Sequence, residues 1–280
     1  MRKYPAFPRD LAAAAEADPL SFAVAGRDRE TLSMVRRAID RGDVLLAFQP
    51  IMQTARPEFP AFYEGLIRVL DDTGRVIPSH DFFAAAETTD LGRRLDCLAL
   101  DLGLQTLAEN PKLRLSVNMS ARSIGWPEWT RILTRGLARD PTAGERLILE
   151  ITEASAMTMP ELVSVFMHEM HMKGICFAID DFGAGYTSLR YLREFYFDIL
   201  KISGQFISGI ADNPDSQVLT RALMSIAGHF EMFTVAEGVE TAEDAAWLAG
   251  QGVDCMQGYY FGAPTLTPPW SLAAARQAEG

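Results

Sequence analysis

The sequence predicts an α/β fold, a modified TIM-type (β/α)8 barrel with one antiparallel strand at its start. After residue 42, eight short runs rich in Val, Ile, Leu and Phe alternate with longer stretches, most of them amphipathic. Connections of that length usually carry a helix between parallel strands. The first connection, residues 52–60, is too short for a crossover helix, so one strand there should run antiparallel.

The predicted strands cover residues 44–51, 61–70, 112–118, 146–151, 175–180, 198–202, 233–237 and 253–256. The predicted helices between them cover residues 79–88, 92–109, 128–138, 160–173, 188–194, 215–230 and 241–250. A doubly wound open sheet is the alternative architecture, but no glycine-rich dinucleotide-binding turn follows the first strand.

The N-terminal part of the chain has a different pattern. Residues 11–17 and 28–40 each favour a helix, and Asp18-Pro19 ends the first of these helices. The predicted organisation is therefore an N-terminal helical extension, residues 1–41, followed by a barrel domain, residues 42–280.

The composition limits the classes of ligand. The 280 residues are 48% hydrophobic and carry a net charge of −11, which excludes a disordered tail, a collagen and a disulfide scaffold. A chain of this charge repels nucleic-acid polymers and anionic membranes on average. An anionic ligand would therefore need a local basic patch or a bound cation.

Localisation follows from the cysteines and from the absence of long apolar runs. Cys97, Cys176 and Cys255 are odd in number and far apart, which is typical of reduced thiols. No signal peptide and no run of about 18 apolar residues occurs in the sequence. We therefore expect a cytoplasmic protein.

Polar side chains recur near the carboxyl ends of the predicted strands, or within the strand in the case of Glu64, where an apolar residue would pack better. In an α/β barrel these ends form the active site, so we expect the side chains to converge there. They are Glu64, Asn118, Glu150, Asp180, Asp181, Lys201, Glu237 and Gln257.

Five of these side chains are carboxylates, which would repel one another without a counter-charge. One or two divalent cations would neutralise them. Carboxylate and amide oxygens favour Mg²⁺ or Mn²⁺, and no Cys or His joins the set to indicate zinc. This chemistry predicts metal-assisted phosphoester hydrolysis, with two metal sites.

Eight ordered motifs spread over residues 42–270 carry a family resemblance. They are Phe48-Gln49-Pro50-Ile51, Glu64-Gly65-Leu66-Ile67-Arg68, Val117-Asn118-Met119-Ser120, Glu150-Ile151-Thr152-Glu153, residues 180–185, Leu200-Lys201-Ile202, Ala236-Glu237-Gly238-Val239-Glu240 and Gln257-Gly258-Tyr259. In this order they resemble the EAL-domain family, bacterial cyclic-di-GMP phosphodiesterases and their inactive relatives. The signature triplet here is Glu64-Gly65-Leu66, with Gly in place of the usual Ala.

The resemblance implies a role for each matching residue. The implied metal ligands are Glu64, Asn118, Glu150 and Asp180 for the first ion and Asp181 for the second. The implied catalytic residues are Lys201, which holds the attacking water, Glu237 at the metal–water cluster, and Glu153, which anchors the loop after the fifth predicted strand. The implied contacts to the dinucleotide are Gln49, Leu66, Arg68 and Gln257.

The resemblance also implies an activity, hydrolysis of cyclic-di-GMP to linear pGpG by a two-metal-activated water, and a possible homodimer through the loop after the fifth strand. The alternatives are a weak or inactive cyclic-di-GMP receptor that signals through a partner, and a protein–protein scaffold. One position departs from the family pattern, because Ser203 replaces the usual Asp two residues after Lys201. Residues two apart on a strand share a face, so Ser203 should lie beside Lys201, where an aspartate would pair with the ammonium.

Overall fold

The computed structural model describes residues 19–184 and 192–270. The predicted helix at residues 11–17 and most of the predicted helix at residues 188–194 lie outside these ranges.

Eight strands form a closed barrel, and a ninth short strand pairs with the end of one of them. The strands are β1 Val44–Gln53, β2 Arg56–Leu70, β3 Val76–Ile77, β4 Leu115–Asn118, β5 Leu147–Thr152, β6 Cys176–Phe182, β7 Ile199–Ile202, β8 Phe233–Ala236 and β9 Cys255–Met256. The order around the barrel is β1-β9-β8-β7-β6-β5-β4-β2, and β1 pairs with β2 to close it. β1 is antiparallel to both its neighbours, whereas the other barrel strands run parallel. The predicted barrel with one antiparallel strand at its start is thus confirmed.

The first two strands form a hairpin that is tighter than predicted. β1 ends at Gln53 and β2 begins at Arg56, so only two residues connect them. Pro57 and Pro60 lie inside β2 rather than in a loop. Near Pro60 the β1–β2 register shifts, and such an irregular edge tolerates residues that cannot donate a backbone hydrogen bond.

The helices cover the outside of the barrel. They are α1 Pro19–Arg41, α2 Phe83–Glu87, α3 Asp90–Glu109, α4 Pro127–Arg139, α5 Glu153–Ala156, α6 Pro160–His171, α7 Gly204–Ile207, α8 Pro214–His229 and α9 Ala242–Gln251. α4, α6 and α8 each begin with proline, whose missing N–H has no partner to lose in the first turn. The side chains of Thr89, Asn213 and Thr241 cap the starts of α3, α8 and α9.

Two other segments cover the antiparallel hairpin, which has no crossover helix of its own. Val35 and Ala38 of α1 are fully buried and pack in one cluster with Val69 of β2. At the other end of the chain, Thr265 exchanges backbone hydrogen bonds with Phe48. Trp270 then packs edge-on against Phe48, with 5.2 Å between ring centroids.

A membrane-crossing helix is not found in residues 19–184 and 192–270, since none of their helices combines the necessary length with the necessary apolarity.

Candidate active site

Lys201 lies at the centre of the carboxyl ends of the barrel strands. Its side chain is only 1% exposed. Its Nζ lies 2.6 Å from Glu150 Oε2, 2.8 Å from Glu237 Oε1, 3.2 Å from Asp180 Oδ1 and 3.3 Å from Glu64 Oε2. Side chains from β2, β5, β6 and β7 and from the residue after β8 therefore meet at one point, as the sequence predicts.

One ammonium cannot neutralise four carboxylates, and the pKa values reflect this. Burial alone would lower the pKa of Lys201, but the surrounding carboxylates hold it well above its usual value. Burial raises the pKa of Glu150 to about 8, helped by the nearby Glu64 and opposed by Lys201. Burial also raises the pKa values of Asp180 and Glu237. The cluster is therefore short of positive charge.

Glu64 behaves differently because amide groups stabilise its charge. Burial would raise its pKa, but Lys201 and hydrogen bonds from Gln257 and Asn118 lower it instead. Asn118 Nδ2 donates to Glu64 Oε1 at 2.8 Å, and Gln257 Nε2 donates to Glu64 Oε2 at 2.6 Å. Glu64 is thus held as an ionised carboxylate.

Gln49 and Gln257 are buried within this network. Gln257 Nε2 also lies 3.0 Å from Gln49 Oε1, and Gln49 Nε2 donates to the backbone oxygen of Gly262 at 3.0 Å. The resemblance assigned both amides to dinucleotide contacts; in this structure Gln257 bonds to Glu64, and Gln49 bonds to Gln257.

Near its end, β6 turns sharply and brings a second aspartate to the mouth. The β6–β7 register is interrupted between Ile179 and Phe182. Asp181 adopts a positive φ of 53°, which non-glycine residues rarely adopt. Consecutive strand residues point to opposite faces, so this turn allows Asp181 to follow Asp180 at the same end of the barrel.

Glu153 holds the start of the loop that follows. Its Oε2 accepts a hydrogen bond from the backbone N–H of Gly183 at 3.1 Å. Gly183 has a φ of 92°, and a methyl group there would lie 2.9 Å from Phe206 Cε2. The first residues of the loop are therefore fixed from both sides, while residues 185–191 lie outside the described ranges.

A cleft of about 360 Å³ opens beside the carboxylates. Leu66 and Arg68 of β2 line it, together with Phe83 and Asp96 from the helices. Arg68 is half-buried, and burial lowers its pKa although Glu64 opposes that change. Among the described residues, the cleft thus combines apolar side chains with carboxylates and the single cation of Arg68.

Asp96 is a buried carboxyl group that sequence reasoning missed. It lies on α3, and its Oδ2 accepts hydrogen bonds from the backbone N–H of Ser120 and from the hydroxyl of Ser123. Burial raises its pKa to about 7. In the sequence, Asp96 could have been recognised as an aspartate between Leu95 and Cys97, on the side of α3 that packs against the barrel.

The donor set fits a divalent cation. Glu150 Oε1 and Asp180 Oδ1 are buried without a hydrogen-bond partner, although the latter lies near Lys201. Both are hard oxygen donors of the type that Mg²⁺ and Mn²⁺ prefer. Among the described residues, no three acidic, His or Cys side chains already form a metal cage; the carboxylates converge on Lys201 Nζ instead.

Curated proteins with similar sequences include bacterial phosphodiesterases. "Probable cyclic di-GMP phosphodiesterase PdeA" of Escherichia coli is 32% identical over 237 residues, which cover 83% of this chain and 32% of the relative. "Cyclic di-GMP phosphodiesterase NbdA" of Pseudomonas aeruginosa is 30% identical over 235 residues, 82% of this chain and 30% of the relative. The chain spans about a third of the length of these two relatives.

Solved structures share the fold over most of the chain. The PaMucR phosphodiesterase in complex with c-di-GMP has a TM-score of 0.77 and 28% identity, covering 87% of this chain and 99% of that one. The Xanthomonas citri FimX EAL domain in complex with c-di-GMP has a TM-score of 0.76 and 25% identity, covering 87% and 97%. A family model, described as the EAL domain, matches residues 32–264. The chain therefore belongs to the EAL domain family.

Proposed function

We propose that this chain is a metal-dependent phosphodiesterase that opens cyclic-di-GMP to linear pGpG. The observation that carries the proposal is the convergence of four carboxylates on Lys201 at the mouth of the barrel. Relatives named as cyclic di-GMP phosphodiesterases and neighbours solved with c-di-GMP support the choice of substrate.

Glu64, Asn118, Glu150 and Asp180 would hold the first Mg²⁺ or Mn²⁺, and Asp181 would contribute to the second. When bound, such ions polarise a phosphoryl oxygen and lower the pKa of water, so that hydrolysis proceeds at neutral pH. The carboxylates from β2, β5 and β6 lie on rigid strands, so they hold their oxygens in place without a loop having to close.

The remaining residues act on water and substrate. Lys201 would hold the attacking water by a hydrogen bond from Nζ, and Glu237, 2.8 Å from that nitrogen, would fix the ammonium. Glu153 would keep the Asp181 loop in place through Gly183. Leu66 and Arg68 would contact the dinucleotide in the cleft. Direct substrate contact by Gln49 and Gln257 stays a prediction.

Three further assignments stay predictions. A cytoplasmic location is supported by the three cysteines, which are all free thiols. A homodimer through the loop after β6 involves residues 185–191, which lie outside the described ranges. The division of the chain into an extension, residues 1–41, and a barrel domain, residues 42–280, also stays a prediction.

The test is turnover of cyclic-di-GMP by the purified chain with Mn²⁺, followed by chromatography of the products. We expect pGpG from the wild type and none from Glu64→Gln or Asp180→Asn, because each variant removes a carboxylate from the proposed cation site. Glu58→Gln is the matched control, since Glu58 lies on the same strand as Glu64 but is exposed. A wild type without turnover would overturn the proposal, and binding without turnover would favour the receptor alternative.

A further inference from the structure

Strand alternation predicts that Ser203 lies beside Lys201, but the hydrogen-bond partner of its hydroxyl is Asp181. It follows β7 directly and is 6% exposed. Its hydroxyl donates a hydrogen bond to Asp181 Oδ1 at 3.2 Å. The ammonium of Lys201 faces four other carboxylates. An aspartate at position 203 would therefore face a carboxylate rather than a free cation.

The hydroxyl of Ser203 does not make the capping hydrogen bond that is usual for a serine at its position. Ser203 precedes α7 as its N-cap residue, where a serine usually accepts a hydrogen bond from a backbone N–H of the first turn. No such bond is made here. The hydroxyl is directed at the active-site aspartate instead.

Among the residues that the structure describes, one side chain holds the carboxylate of Asp181 by a hydrogen bond. Its backbone is in the left-handed region, with a φ of 53°, and the residue is exposed at the mouth. Within residues 19–184 and 192–270, Ser203 Oγ is the one donor to its carboxylate. As far as the described residues are concerned, the direction of that carboxylate therefore depends on a single neutral hydrogen bond.

We propose that Ser203 is a positioning residue that orients Asp181 for the second cation, an inference that rests on the proposed function. A hydroxyl orients the carboxylate without adding charge, whereas a carboxylate at position 203 would repel Asp181. Hydrogen-bonding partners of ligating carboxylates typically change metal affinity by about 10–100-fold when they are removed. Ser203 should therefore determine the affinity of the second cation and leave the first unchanged.

The experiment is a Mn²⁺ titration of the full chain, with free Mn²⁺ measured by electron paramagnetic resonance. The variants are Ser203→Ala, which removes the donor, and Ser203→Thr, which keeps it. Ser216→Ala is the control, because Ser216 is buried to a similar extent and lies in helix α8 rather than at the end of a barrel strand. Thermal unfolding of each variant in EDTA verifies that it is folded, and Ser203→Gly replaces Ser203→Ala if that variant is not.

We expect the wild type to bind two Mn²⁺ ions. In Ser203→Ala the Kd of the second ion should rise by about tenfold, while the Kd of the first stays within twofold. Ser203→Thr should restore the second Kd, and Ser216→Ala should leave both unchanged. An unchanged second Kd in Ser203→Ala would overturn this inference alone. A wild type that binds fewer than two Mn²⁺ ions would overturn the two-metal proposal and this inference together.

Discussion

The interior of the barrel consists of two layers with opposite chemistry, and the layers are only two residues apart. The upper layer, at the mouth, is polar and holds Gln49, Glu64, Glu150, Asp180, Lys201, Glu237 and Gln257. The lower layer is one buried apolar cluster that contains Ile51, Phe62, Ile148, Ala178, Ile199, Val235 and Cys255. Each lower residue is separated from its upper partner by a single position along the chain.

The comparison shows how one strand can serve stability and chemistry together. Alternate strand residues share a face, so a shift of two positions moves a side chain along the barrel axis without changing its direction. Below the mouth, every barrel strand but β4 contributes an apolar side chain, and β4 contributes the fully buried Ser116. The lower layer removes apolar surface from water, while the upper layer concentrates charge at a cost in stability.

The largest expected effect comes from removing the cation of the upper layer. In Lys201→Met, four carboxylates lose their counter-charge, and two of them, Glu64 and Glu150, are buried. An uncompensated buried charge typically costs about 3–5 kcal/mol. We expect the free energy of unfolding in EDTA to fall by that amount and hydrolysis to be lost. Urea unfolding and the pGpG assay measure the two effects.

Added Mn²⁺ should stabilise Lys201→Met more than it stabilises the wild type, because the ions replace the missing positive charge. A variant as stable as the wild type in EDTA would show that the upper layer does not depend on Lys201 for its charge balance.

A pair of substitutions on neighbouring strands should separate the layers. Ile199→Ala, in the lower layer, leaves a cavity and should lower the free energy of unfolding by about 2–5 kcal/mol, with little change in kcat. Glu237→Gln, in the upper layer, keeps the volume and removes the charge. It should lower kcat by about 100-fold with little change in stability. Loss of activity in Ile199→Ala at a temperature where it is folded would contradict this separation.

The sequence predicts the upper layer because its polar residues interrupt or end the apolar runs of the predicted strands. Glu64, Glu150 and Lys201 stand out as charges at the ends of such runs, and the structure brings them together. The family resemblance added the individual roles, which residue types and spacing do not determine.

Other features required the three-dimensional structure. The hairpin extends through Pro57 and Pro60 because β2 pairs along β1 with a shifted register, which local propensity does not indicate. Asp96 is buried by contacts with the chain after β4, about 25 residues further on. Ser203 turns to Asp181 because a bulge in β6 re-aims the aspartate. Each of these depends on contacts between segments distant in sequence.

The buried carboxyl group beside the mouth gives a prediction about pH. Burial raises the pKa of Asp96 to about 7, whereas an aspartate in the unfolded chain titrates near pH 3.9. Between about pH 4 and pH 7 the folded protein keeps a proton that the unfolded chain has lost. Asp96 therefore lowers the free energy of unfolding as the pH rises through this window, by at most about 1.4 kcal/mol per pH unit.

Asp96→Asn should remove this contribution, because the amide oxygen can still accept from Ser120 and Ser123 but carries no charge. We expect the variant to gain stability relative to the wild type between pH 5 and pH 8, measured by urea unfolding at each pH. Asp215→Asn, at the exposed start of α8, is the control. A constant difference between Asp96→Asn and the wild type across these pH values would refute the assignment.

The smallest expected effect concerns Gly65, which lies between Glu64 and Leu66 but faces out of the barrel. A methyl group there would lie 3.3 Å from the backbone oxygen of Ser116 and 3.4 Å from Leu46 Cδ1, so it fits only if these neighbours yield slightly. Replacing a glycine at a compatible conformation gains about 0.4–1 kcal/mol from the unfolded chain, which offsets this tight contact. We expect Gly65→Ala to change the free energy of unfolding by less than about 1 kcal/mol and to leave kcat unchanged, because the methyl group lies outside both layers.

Gly183→Ala provides the contrast, since its φ of 92° and the 2.9 Å approach to Phe206 should lower stability and disturb the Asp181 loop. Thermal unfolding and the pGpG assay test both variants, and a loss of activity in Gly65→Ala would mean that the outer face of β2 also controls the position of Glu64.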